Sequence, residues 1–115
     1  MTIKIYHNPR CSKSRQTLQL LEENGVQPEI IEYLKNSPSK DELISVLDLL
    51  ALSPRDLMRK GEAIYKELNL KDDSLSDEQL VNAMLENPIL IERPIVLANG
   101  KAAIGRPPES VLDIL

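Results

Sequence analysis

Residues 2–34 read as a strand, a helix and a second strand in immediate succession, and that order leaves few folds open. Residues 2–6 (TIKIY) alternate and favour β structure, which predicts a first strand. The polar segment His7-Asn8-Pro9-Arg10-Cys11-Ser12 stops it. Residues 13–24 then place Thr17, Leu18, Leu20 and Leu21 near helical spacing, with Gly25 as a terminator. Residues 26–34 (VQPEIIEYL) read as a second strand opened near Pro28. A strand, a helix and a strand within about 30 residues form a βαβ unit, so the two strands are expected to be parallel and adjacent.

The middle of the chain carries helix signals. Ser39 with Glu42 is a capping-box pattern ahead of residues 43–50 (LISVLDLL). Ser53-Pro54 predicts a cap and a first-turn proline for a short helix running through Lys60. Residues 62–70 supply a further helical segment. Ser76 with Gln79 repeats the capping-box pattern, and Pro88 ends that helix. Residues 39–87 are therefore expected to be a block of short helices inserted between strands. Residues 94–98 and 101–104 flank Asn99-Gly100, a dipeptide suited to a type I′ turn, which predicts an antiparallel hairpin. A short terminal helix follows, opened by Pro107-Pro108. The full order is β-α-β, helical block, β-β-α. That is the plan of a thioredoxin- or glutaredoxin-like α/β fold with a mixed sheet and a helical insertion at about 39–87.

Composition narrows the function. The 115 residues suit a single domain, 1–115, large enough to bury a core without disulfides. Hydrophobic residues are 42% and charged residues 28%, as in ordinary globular proteins. No apolar run approaches the ~20 residues of a membrane span. The first residues lack the apolar stretch of an export signal, so no membrane role or secretion is expected. A net charge of −4 gives no reason to expect nucleic acid as a partner. With no Trp and no Phe, aromatic stacking is not a main mode of recognition. One Cys and one His exclude an internal disulfide and a His/Cys zinc site. A lone free thiol suits a reducing compartment, so the cytoplasm is the expected location. In the absence of a strongly apolar exposed stripe, a monomer is the default expectation.

Cys11 falls between a strand end and a helix start. The first turn of a helix presents unpaired N–H groups and about half a positive charge. Arg10, Lys13 and Arg15 add cations nearby, so the thiol is expected to ionise more readily than usual. A protonated His7 would add to that effect. Asn8, Ser12 and Ser14 are candidate hydrogen-bond donors. Cys11-Ser12-Lys13-Ser14 is a C-x-x-S pattern, so an oxidised Cys11 needs a resolving thiol from another molecule. The same helix start is an anion site. Arg59, Arg93 and Arg106 are the candidates to complete it, because guanidinium grips a tetrahedral oxyanion in a bidentate way that Lys does not.

These residues carry a resemblance. His7-Asn8-Pro9-x-Cys11-x-x-Ser14-Arg15 is similar to the active-site loop of the glutaredoxin-linked arsenate reductases. Leu57-Met58-Arg59-Lys60, Pro88-Ile89-Leu90-Ile91-x-Arg93-Pro94-Ile95-Val96 and Gly105-Arg106-Pro107 match the same family in order, so the likeness spans essentially the whole chain. The resemblance implies that Cys11 is the nucleophile on arsenate and that Arg59, Arg93 and Arg106 hold the oxyanion. It implies that His7, Asn8 and Ser14 support the thiolate. Glutathione would be the co-substrate and glutaredoxin the partner that restores the thiol, with no metal and no bound cofactor. It also implies a cis peptide bond at Pro94. Two alternatives share this fold. One is an Spx-like transcription regulator that binds RNA polymerase; such proteins often carry C-x-x-C and lack an Arg–Pro pair after the last strand. The other is a glutathione-dependent thiol-disulfide reductase.

Overall fold

The structure, a computed structural model, describes residues 3–115. The first strand forms at Lys4–Tyr6 (β1) and the second at Glu29–Ile31 (β2), and they pair in parallel with Ile5 opposite Ile30. Both are shorter than the sequence suggests, and Thr2 of the expected first strand lies outside the described residues. Pro28 has no N–H to give to a ladder, so pairing begins at Glu29, whose N–H donates to the Ile3 carbonyl at 2.8 Å. After Ile31 the chain turns, with the N–H groups of Lys35 and Asn36 both donating to the Glu32 carbonyl.

Helix α1 (Ser12–Glu23) links these strands. It ends as the sequence predicts. Gly25 takes φ +78°, a left-handed conformation that costs a residue without Cβ little, and its N–H donates to the Glu22 carbonyl. The returning chain forms β3 (Ile95–Ala98) and β4 (Lys101–Ile104). Asn99 and Gly100 both have positive φ, 56° and 71°, which is the type I′ geometry. The strand order is β2-β1-β3-β4, with β3 antiparallel to both of its neighbours. The terminal segment Pro108–Ile114 winds as 3₁₀ helix. A mixed sheet with these connections is the expected thioredoxin-like α/β fold.

The described residues gather into two compact units, 3–36 with 93–115 and 37–92. In the first, one face of the sheet supplies Ile5, Val96 and Ala98, with Ile3 and Ala103 at its margin. Against it lie Leu21 and Leu18 of α1, and Val111 and Ile114 of the terminal 3₁₀ segment. Ile5, Leu21, Val96 and Val111 are fully buried. Each such aliphatic side chain contributes about 1.5–3 kcal/mol relative to an exposed one. Together they fix the sheet end and the helix start that carry the cysteine loop.

The second unit holds α2 (Lys40–Leu50), α3 (Pro54–Leu57), α4 (Ala63–Glu67), α5 (Asp77–Glu86) and a 3₁₀ turn at Pro88–Leu90. The serine caps sit where the sequence places them. Ser39 accepts from the Glu42 N–H, Ser53 from the Asp56 N–H, and Ser76 with Gln79 closes a full capping box. Ser39 and Glu42 complete only half of theirs: the Ser39 hydroxyl meets the Glu42 carboxylate at 3.2 Å, where a box would return that carboxylate to the backbone. One expectation is corrected. The helix opened by Pro54 stops at Leu57 and does not reach Lys60. Met58 becomes extended and bridges Ile91, while the Arg59 N–H donates to the Leu90 carbonyl at 2.7 Å. That pairing outweighs helix propensity here and places Arg59 on an extended segment.

Candidate active site

The loop from His7 to Cys11 is shaped by its own residues. Pro9 pre-sets the backbone for a turn, and the Cys11 N–H closes it on the Asn8 carbonyl at 2.9 Å. The Asn8 side chain accepts from the Arg10 N–H at 3.0 Å, an Asx-type contact inside the same turn. The Arg15 guanidinium reaches back to the Pro9 carbonyl at 2.9 Å. Ser14, fully buried, accepts the Asn8 N–H at 3.4 Å. Asn8, Ser14 and Arg15 thus hold the loop in place, and the Asn8 side chain is engaged with Arg10.

Cys11 is the N-cap of α1 and partly exposed. Its burial pushes the thiol up. The Ser14 N–H, the Arg93 guanidinium, the Lys13 N–H and Arg106 together outweigh that and hold the thiol below its ordinary value. The N–H groups of the first helical turn also present their positive dipole ends to this position. The guanidinium groups that act on it come from the other end of the unit. Arg106 Nη2 donates to Cys11 Sγ at 3.6 Å. Lys13 acts through its main chain, and Arg15 is engaged with Pro9.

His7 is buried, at 6% exposure. That burial lowers its pKa; Glu32 opposes the shift and Arg15 adds to it. Burial favours the neutral ring and so works against the protonated His7 that would add to the thiolate's stabilisation. Its Nδ1 has no hydrogen-bond partner among the described residues.

The hairpin explains why Arg93 and Arg106 meet. Antiparallel pairing around a two-residue turn sets each residue opposite one equally far beyond it. Ile95 faces Ile104, the Gly105 N–H donates to the Pro94 carbonyl at 2.9 Å, and Arg106 Nε donates to the Arg93 carbonyl at 2.8 Å. The Arg93–Pro94 bond is cis, as the resemblance implied. The Arg106–Pro107 bond is cis as well, which nothing in the sequence reading foresaw. Arg59 lies in the second unit and pairs with Glu62 at 2.7 Å. Among the described residues no group of three His, Cys, Asp or Glu side chains is placed to hold a metal, and no helix is long and apolar enough to cross a membrane.

Sequence reasoning missed Thr17 and Gly105. Thr17 is fully buried, and a Cβ on Gly105 would fall on its Oγ1. The signal was present in a polar residue on the apolar face of α1 and a glycine directly before an expected ligand.

Sheet, helix start and hairpin arginine together define a thioredoxin-like protein built around one activated thiol beside guanidinium. The chain belongs to the ArsC family, whose model matches residues 6–114. It is 60% identical to the protein YfgD of Escherichia coli strain K12, over 98% of this chain and 96% of that one. It is 50% identical to an arsenate reductase of Neisseria meningitidis, over 98% and 97% of the two chains. An arsenate reductase structure from Vibrio cholerae superposes with a TM-score of 0.97 at 57% identity, covering 100% of this chain and 98% of that one.

Proposed function

We propose that this protein is an oxidoreductase that reduces arsenate to arsenite, with Cys11 as nucleophile and glutathione and glutaredoxin as the thiol partners. The observation that carries the reading is Arg106 Nη2 at 3.6 Å from a sulfur held at a helix N-terminus. The Cys11 thiolate attacks arsenic, an S–As bond forms, and one oxygen of arsenate leaves as water after taking up protons. Arg93 and Arg106 bind the remaining oxygens and offset their charge. Arg59 enters on its sequence motif alone, as a further oxyanion ligand. Glutathione thiolate then attacks the Cys11 sulfur. The S–As bond breaks with its electron pair on arsenic, which leaves as arsenite, and Cys11 becomes a mixed disulfide. Glutaredoxin accepts the glutathione moiety and frees the thiol. Asn8 and Ser14 support the thiolate through the loop they shape, and His7 enters on its sequence motif alone. In this reading the chain works as one domain and as a monomer in the reducing cytoplasm, and it needs neither metal nor bound cofactor.

The reading is supported by the names of the relatives and by the single thiol, which calls for an outside resolving partner. Intact mass after arsenate and glutathione should show an adduct or mixed disulfide at Cys11, and Cys11→Ser should abolish arsenite formation. Unchanged arsenate reduction in Cys11→Ser would remove the proposal. Arg59→Ala and Arg93→Ala should each raise the arsenate KM more than loss of a surface arginine such as Arg10.

A further inference from the structure

Arg106 is exposed, yet its guanidinium is tied at two points, to the Arg93 carbonyl and to the Cys11 sulfur. A long side chain holds such a place only if the backbone beneath it is fixed. That backbone is Gly105, buried, with its N–H on the Pro94 carbonyl. Its approach to α1 is unusually close. A Cβ there would fall on Thr17 Oγ1, 2.8 Å from Pro94 Cγ and 3.1 Å from Thr17 Cγ2. Thr17 lies on the same helix that Cys11 caps. Its hydroxyl is buried without a hydrogen-bond partner among the described residues.

We propose that Thr17 and Gly105 are positioning residues, forming a seat in which the helix that carries Cys11 and the backbone that carries Arg106 close to contact, so that guanidinium and sulfur are held together. They act through Arg106. Because the carbon that would clash is absent from Gly105, the Arg106 main chain sits about one methyl group nearer the helix than any other residue would allow. The seat works by shape, so Val is expected to replace Thr17 and Ala to loosen it. The inference deepens the arsenate reading where turnover is concerned, but the contact it explains does not depend on arsenate.

The test therefore reads the thiolate without arsenate. The rate of Cys11 alkylation by iodoacetamide is followed against pH on the rising limb, where rate tracks thiolate fraction. Gly105→Ala should slow alkylation there by about threefold to fivefold, the scale expected for losing one cation at this distance. In an Arg106→Ala background the same change should do nothing further, because the seat acts only through that side chain. Adding Thr17→Ala to Gly105→Ala should restore at least half of the loss by making room for the new methyl group. Should Gly105→Ala fail to fold, the Thr17 pair decides: Thr17→Val is expected to match the wild-type profile and Thr17→Ala to lie about twofold below it. A wild-type profile in folded Gly105→Ala, an additive loss on Arg106→Ala, or equal effects of Thr17→Val and Thr17→Ala would each overturn the proposal. Arsenate turnover, measured in parallel, separates the two ideas. Shifted profiles in a protein that never reduces arsenate sink the function and leave the seat standing.

Discussion

The charge of Arg106 should be readable in the reactivity of Cys11. Removing it as Arg106→Ala takes away a guanidinium nitrogen 3.6 Å from the sulfur. Both groups are in contact with water, so the high-dielectric limit applies, and two unit charges at that distance attract by about 1 kcal/mol. That corresponds to roughly a fivefold change in the ratio of thiolate to thiol. The alkylation profile should therefore move to higher pH, with rates on the rising limb about fivefold lower and the plateau unchanged. Arg106→Lys separates charge from tether. It keeps a cation but has no Nε donor for the Arg93 carbonyl, and should fall between wild type and Arg106→Ala. Salt sharpens the test, because about 1 M chloride should shrink the difference between wild type and Arg106→Ala. If wild type and Arg106→Ala coincide along the whole rising limb at low salt, the contact does not act on the sulfur.

Stability near neutral pH should report His7. The folded protein binds the His7 proton less readily than the unfolded chain, so below the ordinary 6.5 the unfolded chain carries more of it. Stability should thus decline as pH drops from 6.5 toward the lowered folded value and be level above 6.5; thermal melts of wild type and His7→Gln should diverge over that window. Ala51 caps α2 with φ 56° and ψ 39°, a left-handed conformation that Cβ disfavours. Ala51→Gly should raise stability by about 0.5 kcal/mol, partly offset by the freer unfolded chain, as a higher urea midpoint would show. Leu21→Ala, deep in the core of the first unit, should lower stability by about 2–5 kcal/mol in the same titration.

The sequence made the strand and helix order legible because each boundary carried a local reason. Ser39, Ser53 and Ser76 cap where they should, Gly25 and Asn99-Gly100 turn where they should, and the parallel pairing of β1 and β2 followed from the crossover between them. Strand lengths were not legible. Residues 26–34 read as one strand, but the missing N–H of Pro28 and the turn after Ile31 trim the ladder to Glu29–Ile31. The path of Arg59 was hidden for a similar reason, since a long-range bridge from Met58 to Ile91 overrides the local helix signal. At the candidate site, Cys11 at a helix start was readable from its neighbours in the chain. Its acidity was credited to cations close in sequence, whereas Arg93 and Arg106 arrive through sheet pairing. The state of His7 depends on burial, which a lone histidine after a strand does not announce.

The two-residue turn at Asn99-Gly100 is a measuring stick for chemistry performed at the opposite end of its own hairpin. Strand pairing has a repeat of two, so one residue gained or lost at that tip would slide β4 along β3 and flip the arginine beyond it to the wrong side. Loops elsewhere can drift in length over generations with modest penalty. This one is held to its count by a sulfur on another element, and a lengthened tip should yield a folded protein with an ordinary, sluggish thiol.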